Sequence, residues 1–203
     1  MKQLIGGALF LLASWNFATA QALETATHTT RHQVAIQGSG IFTRKVTDSG
    51  ITYKPTSSVG GSIGYRFNIN RWLGVEGDGD YFRNSQKFQT STTTTSVRTN
   101  VFAVTGAGVI NMPNPVIKRM KSYAMVGGGV MAFHLRDTDL FDPQFKNVIV
   151  FGGGADVPVA PHLAIRGQVK NFLYKAPDFG VSSIRINKYG QAMVPSVGVV
   201  VSF

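Results

Sequence analysis

Short stretches of alternating apolar and polar residues run through the chain from residue 32 to residue 203. In the segment 194–203, apolar side chains fall at every second position, at Val197, Val199, Val201 and Phe203. A period of two residues is typical of a β-strand with one apolar face. Because an unpaired apolar edge recruits other chains, we predict that this last strand pairs with the first strand of a closed barrel.

The same alternation predicts eight strands, at 32–42, 57–67, 72–82, 97–112, 122–135, 146–157, 162–174 and 194–203. Short turns follow the second, fourth and sixth strands, and long polar loops follow the first, third, fifth and seventh, including 43–56 and 175–190. Hairpins joined in this way form an antiparallel up-and-down meander, and an even number of strands allows it to close. The predicted fold is therefore all-β, an eight-stranded antiparallel barrel.

Charged residues alternate with the apolar ones on several strands. They comprise Arg66 on the second strand, Glu76, Asp78 and Asp80 on the third, and Arg166 and Lys170 on the seventh. Alternation alone leaves two arrangements open. In a soluble barrel the apolar faces fill the interior, whereas in a membrane barrel they face lipid and the charges face inwards.

Three features favour the membrane arrangement. The apolar faces are rich in glycine, which leaves little side-chain volume to fill an interior, and the acids and bases of the second face nearly balance. Aromatic residues cluster near strand ends, as in an interfacial girdle. The predicted girdle comprises Phe67, Trp72 and Tyr123 at the short-turn end and Tyr81, Phe82, Phe133 and Tyr174 at the loop end. On the fifth strand, the predicted lipid-facing side includes Tyr123, Met125, Met131 and Phe133.

Side chains just fill the interior of a barrel of about eight strands. The six charged residues named above are therefore predicted to form a network that plugs the lumen. Structural packing with little or no conductance is favoured over an ion path, and a small porin-like channel is the alternative.

Composition narrows the class further. Only 15% of the 203 residues are charged, against about 25% in soluble domains. No internal run reaches the roughly 20 apolar residues of a membrane helix. The absence of cysteine excludes disulfides, thiol catalysis and cysteine metal sites.

The first 31 residues differ from the rest of the chain. Residues 1–20 resemble a secretory signal, with Lys2 before an apolar core and a small-residue cleavage site ending at Ala20, or alternatively at Ala22. A retained membrane anchor is the competing interpretation. Residues 21–31 are predicted to be a disordered leader, and 32–203 the barrel domain.

The formal net charge is +10. An export signal argues against nucleic acid as a partner. Basic loop residues facing an anionic surface account for the charge, at Arg44, Lys45, Lys54, Arg83, Lys87, Arg98, Lys175, Arg185 and Lys188.

These features resemble the small outer-membrane β-barrels of diderm bacteria, the OmpA/OmpX-like class with an outer membrane protein beta-barrel domain. The resemblance rests on the signal segment, the turn and strand from Asn68 to Glu76, the glycine-rich strands and the terminal pattern ending at Phe203. It implies a monomer in the bacterial outer membrane, in contact with membrane lipid and lipopolysaccharide. It also implies that the barrel-assembly machinery recognises the last strand, although Val201 stands where the family often has an aromatic.

No catalytic constellation is evident. Some small barrels are lipid A-deacylating esterases with a histidine and a serine two residues further on, but Arg136 follows His134 at that spacing. The other histidines, His28, His32 and His162, are scattered. We therefore predict no enzyme, no cofactor and no metal. A secreted soluble barrel that binds a small apolar ligand remains the other alternative.

Overall fold

The computed structural model describes residues 31–48, 51–89, 94–113, 120–136, 143–177 and 188–203. The predicted signal segment and most of the predicted leader lie outside them. Within them, ten strands form one antiparallel sheet: β1 His32–Thr43, β2 Val46–Asp48, β3 Ile51–Tyr53, β4 Ser58–Asn68, β5 Leu73–Gln89, β6 Thr94–Pro113, β7 Lys121–Leu135, β8 Gln144–Ala160, β9 Leu163–Lys175 and β10 Tyr189–Ser202. No helix in these residues is long and apolar enough to cross a membrane.

Eight of the ten strands close into a barrel, since β2 and β3 form a short side hairpin on β5. The order around the barrel is β5-β4-β1-β10-β9-β8-β7-β6, and pairing of β6 with β5 completes the ring. The first strand pairs with the last, with Val34 opposite Val201 and Ile36 opposite Val199. The predicted closed eight-stranded antiparallel barrel is confirmed.

The turn between β4 and β5 shows how local sequence sets the hairpins. The side-chain Oδ1 of Asn70 accepts hydrogen bonds from the backbone N–H groups of Trp72 and Leu73, each at 2.8 Å. Asparagine favours such turns because its short side chain can replace a backbone acceptor. The chain therefore reverses where the strand pattern stops.

Apolar side chains cover the outer face of the barrel. Val59 is 83% exposed, and Ile36, Val104, Ile165 and Val197 also face outwards. The charged residues between them on β4, β5 and β9 are buried inside. This arrangement excludes the soluble alternative, which requires the apolar faces to fill the interior.

The predicted lipid-facing side of β7 is wrong. Tyr123, Met131 and Phe133 are buried in the interior, whereas Val126 and Val130 face outwards. Both faces of this strand are apolar, so alternation of apolar and polar residues gives no sign of which face turns inwards.

Several predicted boundaries also differ from the structure. The predicted loop 43–56 contains the β2–β3 hairpin, β5 continues to Gln89 where the predicted strand ends at residue 82, and β10 begins at Tyr189 rather than at Val194. At the loop end the strands extend past the apolar band of the outer face, and the residues in these extensions are largely polar. Polar composition there indicates a solvated strand as readily as a loop.

Candidate functional site: the barrel interior and the loop end

The interior at the short-turn side of the barrel is polar. Residues with even numbers on β5 and β9 point inwards, because successive side chains of a strand alternate between its faces. This alternation places the six predicted network residues in the interior: Arg66, Glu76, Asp78, Asp80, Arg166 and Lys170. Their side chains form two clusters of ion pairs.

Arg166 is the centre of the first cluster. Its Nε and Nη2 donate to the two carboxylate oxygens of Asp156 at 2.7 and 2.8 Å. Its Nη1 donates to Oε2 of Glu76 at 3.2 Å, and Nη2 also donates to Oε1 of Gln33 at 3.1 Å. A two-pronged contact with a carboxylate fixes the guanidinium plane as well as its position.

Glu76 joins a second arginine to this cluster. Nε of Arg66 donates to the same carboxylate oxygen that Arg166 contacts. The Arg66 guanidinium lies over the ring of Tyr123, 3.8 Å from its centroid. A cation over an aromatic face gains electrostatic attraction that burial strengthens. Tyr123 therefore belongs to the network and not to the outer surface.

Lys170 forms the second cluster. Its Nζ donates to Oδ1 and Oδ2 of Asp80 at 2.9 and 2.8 Å, and lies 3.8 Å from Oδ2 of Asp78. The Asp78 oxygens have no hydrogen-bond donor among the described residues. The partner of Lys170 for hydrogen bonding is therefore Asp80, while Asp78 contributes charge at longer range.

A layer of amides lies beside the charges. Nε2 of Gln168 donates to Oε1 of Glu76 at 3.4 Å, and Oε1 of Gln168 accepts from Nε2 of Gln37 at 3.0 Å. The hydroxyl of Ser196 donates to Oε1 of Gln37 at 2.9 Å. These bonds satisfy polar groups that would otherwise be costly to bury.

Sequence analysis missed three members of this network, namely Gln33, Tyr123 and Asp156. Asp156 could have been found, because it lies between Ala155 and Val157, which the alternation already assigns to the outer face. Tyr123 could not, because the apolar residues on both faces of β7 conceal its direction.

The interior at the loop end is apolar. The buried side chains that line it include Ile41, Phe82, Val101, Met131, Phe133, Val148, Val150, Phe172, Tyr174 and Val194. Burial removes about 25 cal/mol of unfavourable free energy for each Å² of apolar surface, so this layer stabilises the upper half of the barrel.

Tyr53 of the β2–β3 hairpin covers this apolar layer. Its side chain is fully buried, and its hydroxyl donates to Oε1 of Gln86 at 2.5 Å. Nε2 of Gln86 in turn donates to Oδ1 of Asn84 at 2.8 Å and to the Thr99 hydroxyl at 3.1 Å. Burial, followed in size by the neighbouring Tyr174, raises the pKa of Tyr53 well above its usual range, so its phenol remains a neutral donor.

The predicted aromatic girdle is wrong for four of its members. Phe82, Phe133, Tyr174 and Tyr123 face the interior. Their positions near strand ends fit a girdle, but the side of the strand on which they lie does not. The remaining three, Phe67, Trp72 and Tyr81, are at least partly exposed.

The predicted assembly residues Val197, Val199, Val201 and Phe203 all face outwards. Phe203 exchanges backbone hydrogen bonds with His32 at 2.9 and 3.1 Å, and the two rings stack with centroids 5.7 Å apart. Nδ1 of His32 also lies 2.7 Å from the Tyr65 hydroxyl. His32 is therefore engaged in the seam between the first and last strands.

Basic side chains surround the loop end. We call the described members of this set the basic rim: Arg44, Lys45, Lys54, Arg83, Lys87, Arg98, Lys175 and Lys188. Arg185, predicted with them, lies outside the described residues. Nζ of Lys188 donates to the Thr47 carbonyl at 2.8 Å and lies 3.6 Å from Asp48, which ties the rim to the β2–β3 hairpin.

A closed sheet with an apolar outer face and an ion-paired interior defines an integral membrane β-barrel. The chain belongs to the outer membrane protein beta-barrel domain family, whose model matches residues 8–203. Membership of this family places the protein in the bacterial outer membrane. The predicted resemblance to small outer-membrane barrels is confirmed.

Several solved structures share the fold. OprG from Pseudomonas aeruginosa has a TM-score of 0.64 at 11% identity, covering 86% of this chain and 96% of that one. Neisserial surface protein A has a TM-score of 0.60 at 13% identity, covering 85% of this chain and 97% of that one. A search of curated protein sequences gave no match.

Proposed function

We propose that this chain is an outer-membrane barrel with a closed lumen and a structural or adhesive role at the cell surface. The observation that carries the proposal is the pairing of charges between opposite walls. β5 and β9 are four strands apart in the ring of eight, so Glu76 and Asp80 on β5 face Arg166 and Lys170 on β9. Ion pairs between these walls cross the full width of the lumen.

Such pairs oppose conduction for an energetic reason. Separating a buried pair leaves a charge without a partner, which costs about 3–5 kcal/mol. An ion passing through would have to displace two clusters and the Gln37–Gln168 contact beside them. The apolar layer at the loop end offers it no charged partner, which further supports closure.

The proposed partners follow from the two ends and the outer face. The outer face contacts membrane lipid, and the basic rim contacts the phosphates of lipopolysaccharide or another anionic surface, since cations attract anions at long range. The barrel-assembly machinery recognises Phe203 and the alternating valines before it, after the amino-terminal signal has directed export. The working form is a monomer without enzymatic activity.

A small porin-like channel is the second candidate. One observation favours it, because Asp78 is buried next to Lys170 without a hydrogen bond from the described residues. A carboxylate in that state attracts cations into the lumen.

Planar-bilayer recordings of the purified full chain separate the two candidates. We expect no regular conductance steps from the wild type. The double variant Arg166→Met and Lys170→Met should produce steps, because it removes both links between the walls, whereas Lys175→Met on the outer face should not. Regular steps from the wild type would favour the channel and refute the closed lumen.

A further inference from the structure

Three arginines lie near one another on the outer face of the barrel, at the loop end of the wall that β5, β6 and β7 form. All three side chains are exposed, and we call them the arginine cluster: Arg83, Arg98 and Arg136. Two of them belong to the basic rim, and Arg136 follows directly after the last residue of β7. The proposed closure of the lumen does not depend on any of these side chains.

The register of the strands brings the three side chains together. Arg98 is paired with Ser85, and Arg83 lies two residues before Ser85 on the same face of β5. The backbone N–H of Arg136 donates to the carbonyl oxygen of Arg98 at 3.0 Å, which places these two arginines opposite each other. Cβ atoms of residues opposite each other on antiparallel strands are roughly 4.5–5.5 Å apart, and those of diagonal neighbours about 7–8 Å. Three long side chains at such separations reach a single ligand.

The positive charge of the arginine cluster is not compensated within the described part of the chain. No described acid forms an ion pair with any of its members. The described outward positions of β5, β6 and β7 include no aspartate or glutamate. Like charges on neighbouring strands repel one another, and a bound anion removes that cost. Because guanidinium groups match phosphate with paired N–H donors, the cluster fits a phosphate group.

Tyr81 holds one member of the cluster in position. Nε of Arg83 donates to the Tyr81 hydroxyl at 2.7 Å. The contact leaves both Nη groups of Arg83 without a hydrogen bond to a described residue, so they remain available to a ligand. A side chain that is already fixed loses less conformational entropy when it binds. This contact therefore favours binding at the cluster over binding at an isolated surface cation.

The surface next to the cluster, towards the middle of the membrane, fits a lipid rather than a soluble ion. Tyr81 and Phe102 are paired, with ring centroids 4.6 Å apart, and the His134 ring meets Phe102 edge-on at 5.7 Å. The next outward pair on β6 and β7 is Val104 and Val130, and both are exposed. Aromatic rings are common at the membrane boundary, where they have an apolar face and a polar edge. From water to lipid, the wall thus presents cations, rings and aliphatic side chains.

We propose that the arginine cluster binds the phosphorylated headgroup of a glycolipid in the outer leaflet, which the long loops of such barrels face. The phosphate contacts the three guanidinium groups, the sugar ring packs on Tyr81 and Phe102, and the acyl chains lie along Val104 and Val130. The inference rests on the proposed contact between the basic rim and lipopolysaccharide, and it assigns that contact to one wall of the barrel.

Native mass spectrometry of the full chain in detergent, titrated with bisphosphorylated lipid A, tests the proposal. The test variant replaces the whole cluster, as Arg83→Gln, Arg98→Gln and Arg136→Gln. The matched control removes three exposed cations at the loop ends of β1 and β9, as Arg44→Gln, Lys45→Gln and Lys175→Gln. Both variants lose the same charge, so only its position differs. A gel-migration shift between unheated and boiled samples verifies that every variant is folded.

We expect the cluster variant to weaken lipid A binding by at least about tenfold, as three charge-assisted contacts are lost, and the control to change it by less than about twofold. Equal weakening by both triple variants would overturn the cluster and leave a diffuse attraction by the rim. No weakening by either would refute the cluster and the rim together.

Two further ligands test the class of molecule. Phe102→Leu should weaken lipid A more than phosphatidylglycerol, because the latter has no sugar ring. Equal affinity of the wild type for phosphatidylglycerol would refute the glycolipid assignment. Inorganic phosphate at the concentration of the lipid should leave bound lipid A in place. Displacement of lipid A under that condition would show a site for a soluble anion and contradict the lipid assignment.

Discussion

Nζ of Lys170 lies 2.8 Å from Oδ2 of Asp80, although the two residues belong to strands on opposite sides of the barrel. Both side chains are fully buried. Arg166 and Glu76 repeat the relationship two inward positions closer to the short turns, at 3.2 Å. The ion pairs between opposite walls therefore occupy the lumen.

Arg166→Met should lower the free energy of unfolding by about 3–5 kcal/mol. The substitution leaves the buried carboxylate of Asp156 without its guanidinium partner and removes one of the two arginines that contact Glu76. Urea unfolding in lipid vesicles, followed by gel migration of unheated samples, measures the change.

Lys175→Met is the control for that experiment, because Lys175 is exposed on the outer side of β9. It should change the same quantity by less than about 0.5 kcal/mol. An equal effect of both substitutions would show that the buried arginine contributes no more than a surface cation.

Gly129→Ala should destabilise the barrel, whereas Gly106→Ala should be tolerated. A Cβ on Gly129 would overlap the carbonyl oxygen of Val104 on the neighbouring strand, and backbone atoms cannot move aside as a flexible side chain can. A Cβ on Gly106 meets no atom within 4 Å. Overpacking costs about 1–3 kcal/mol, which the same urea experiment resolves. Identical midpoints for the two variants would contradict the close approach of β6 and β7.

Tyr53→Phe should loosen the β2–β3 hairpin. The substitution removes the hydroxyl that donates to Oε1 of Gln86. It leaves this buried acceptor unsatisfied, at a cost of about 1–3 kcal/mol. Limited proteolysis in vesicles should cut the hairpin faster than in the wild type. Lys54→Met, which changes an exposed neighbour, is the control. An unchanged cleavage rate in Tyr53→Phe would contradict the anchoring of the hairpin by the Tyr53 hydroxyl.

Phe203→Asp should reduce assembly into the outer membrane more than substitution of a loop residue such as Lys54→Asp. Phe203 faces outwards and stacks on His32 at the closing seam. Counting folded barrels in isolated membranes measures assembly in the cell, and refolding in detergent without assembly factors measures intrinsic folding. A variant that refolds in detergent but fails in the cell supports recognition of Phe203, and normal assembly in the cell contradicts it.

Much of the fold follows from alternation along the chain. The pattern predicts the ring of eight strands and the pairing of its first and last members, because polar and apolar faces differ clearly on β1, β5 and β9. It fails on β7, where both faces are apolar. At the loop end the girdle prediction fails instead, because the interior there is itself apolar and Phe82 and Tyr174 turn inwards.

The interior charges were predictable in kind but not in pairing. Phe82 and Tyr174 share the numbering parity of Asp80 and Lys170 on their strands, so alternation already indicated that they point inwards. The predicted meander already sets β5 opposite β9. Which carboxylate meets which cation also depends on the register between neighbouring strands, and a single strand's pattern carries no information about that register.

A double-mutant cycle on Asp80 and Lys170 tests the central claim most directly. Asp80→Asn, Lys170→Met and the combined variant are compared with the wild type by urea unfolding in vesicles. If the pair joins the two walls, the effects of the single substitutions will be non-additive by about 1–3 kcal/mol, within the range known for residues in contact. Effects that add to within about 0.5 kcal/mol, the range for independent sites, would contradict a lumen closed by ion pairs between opposite walls.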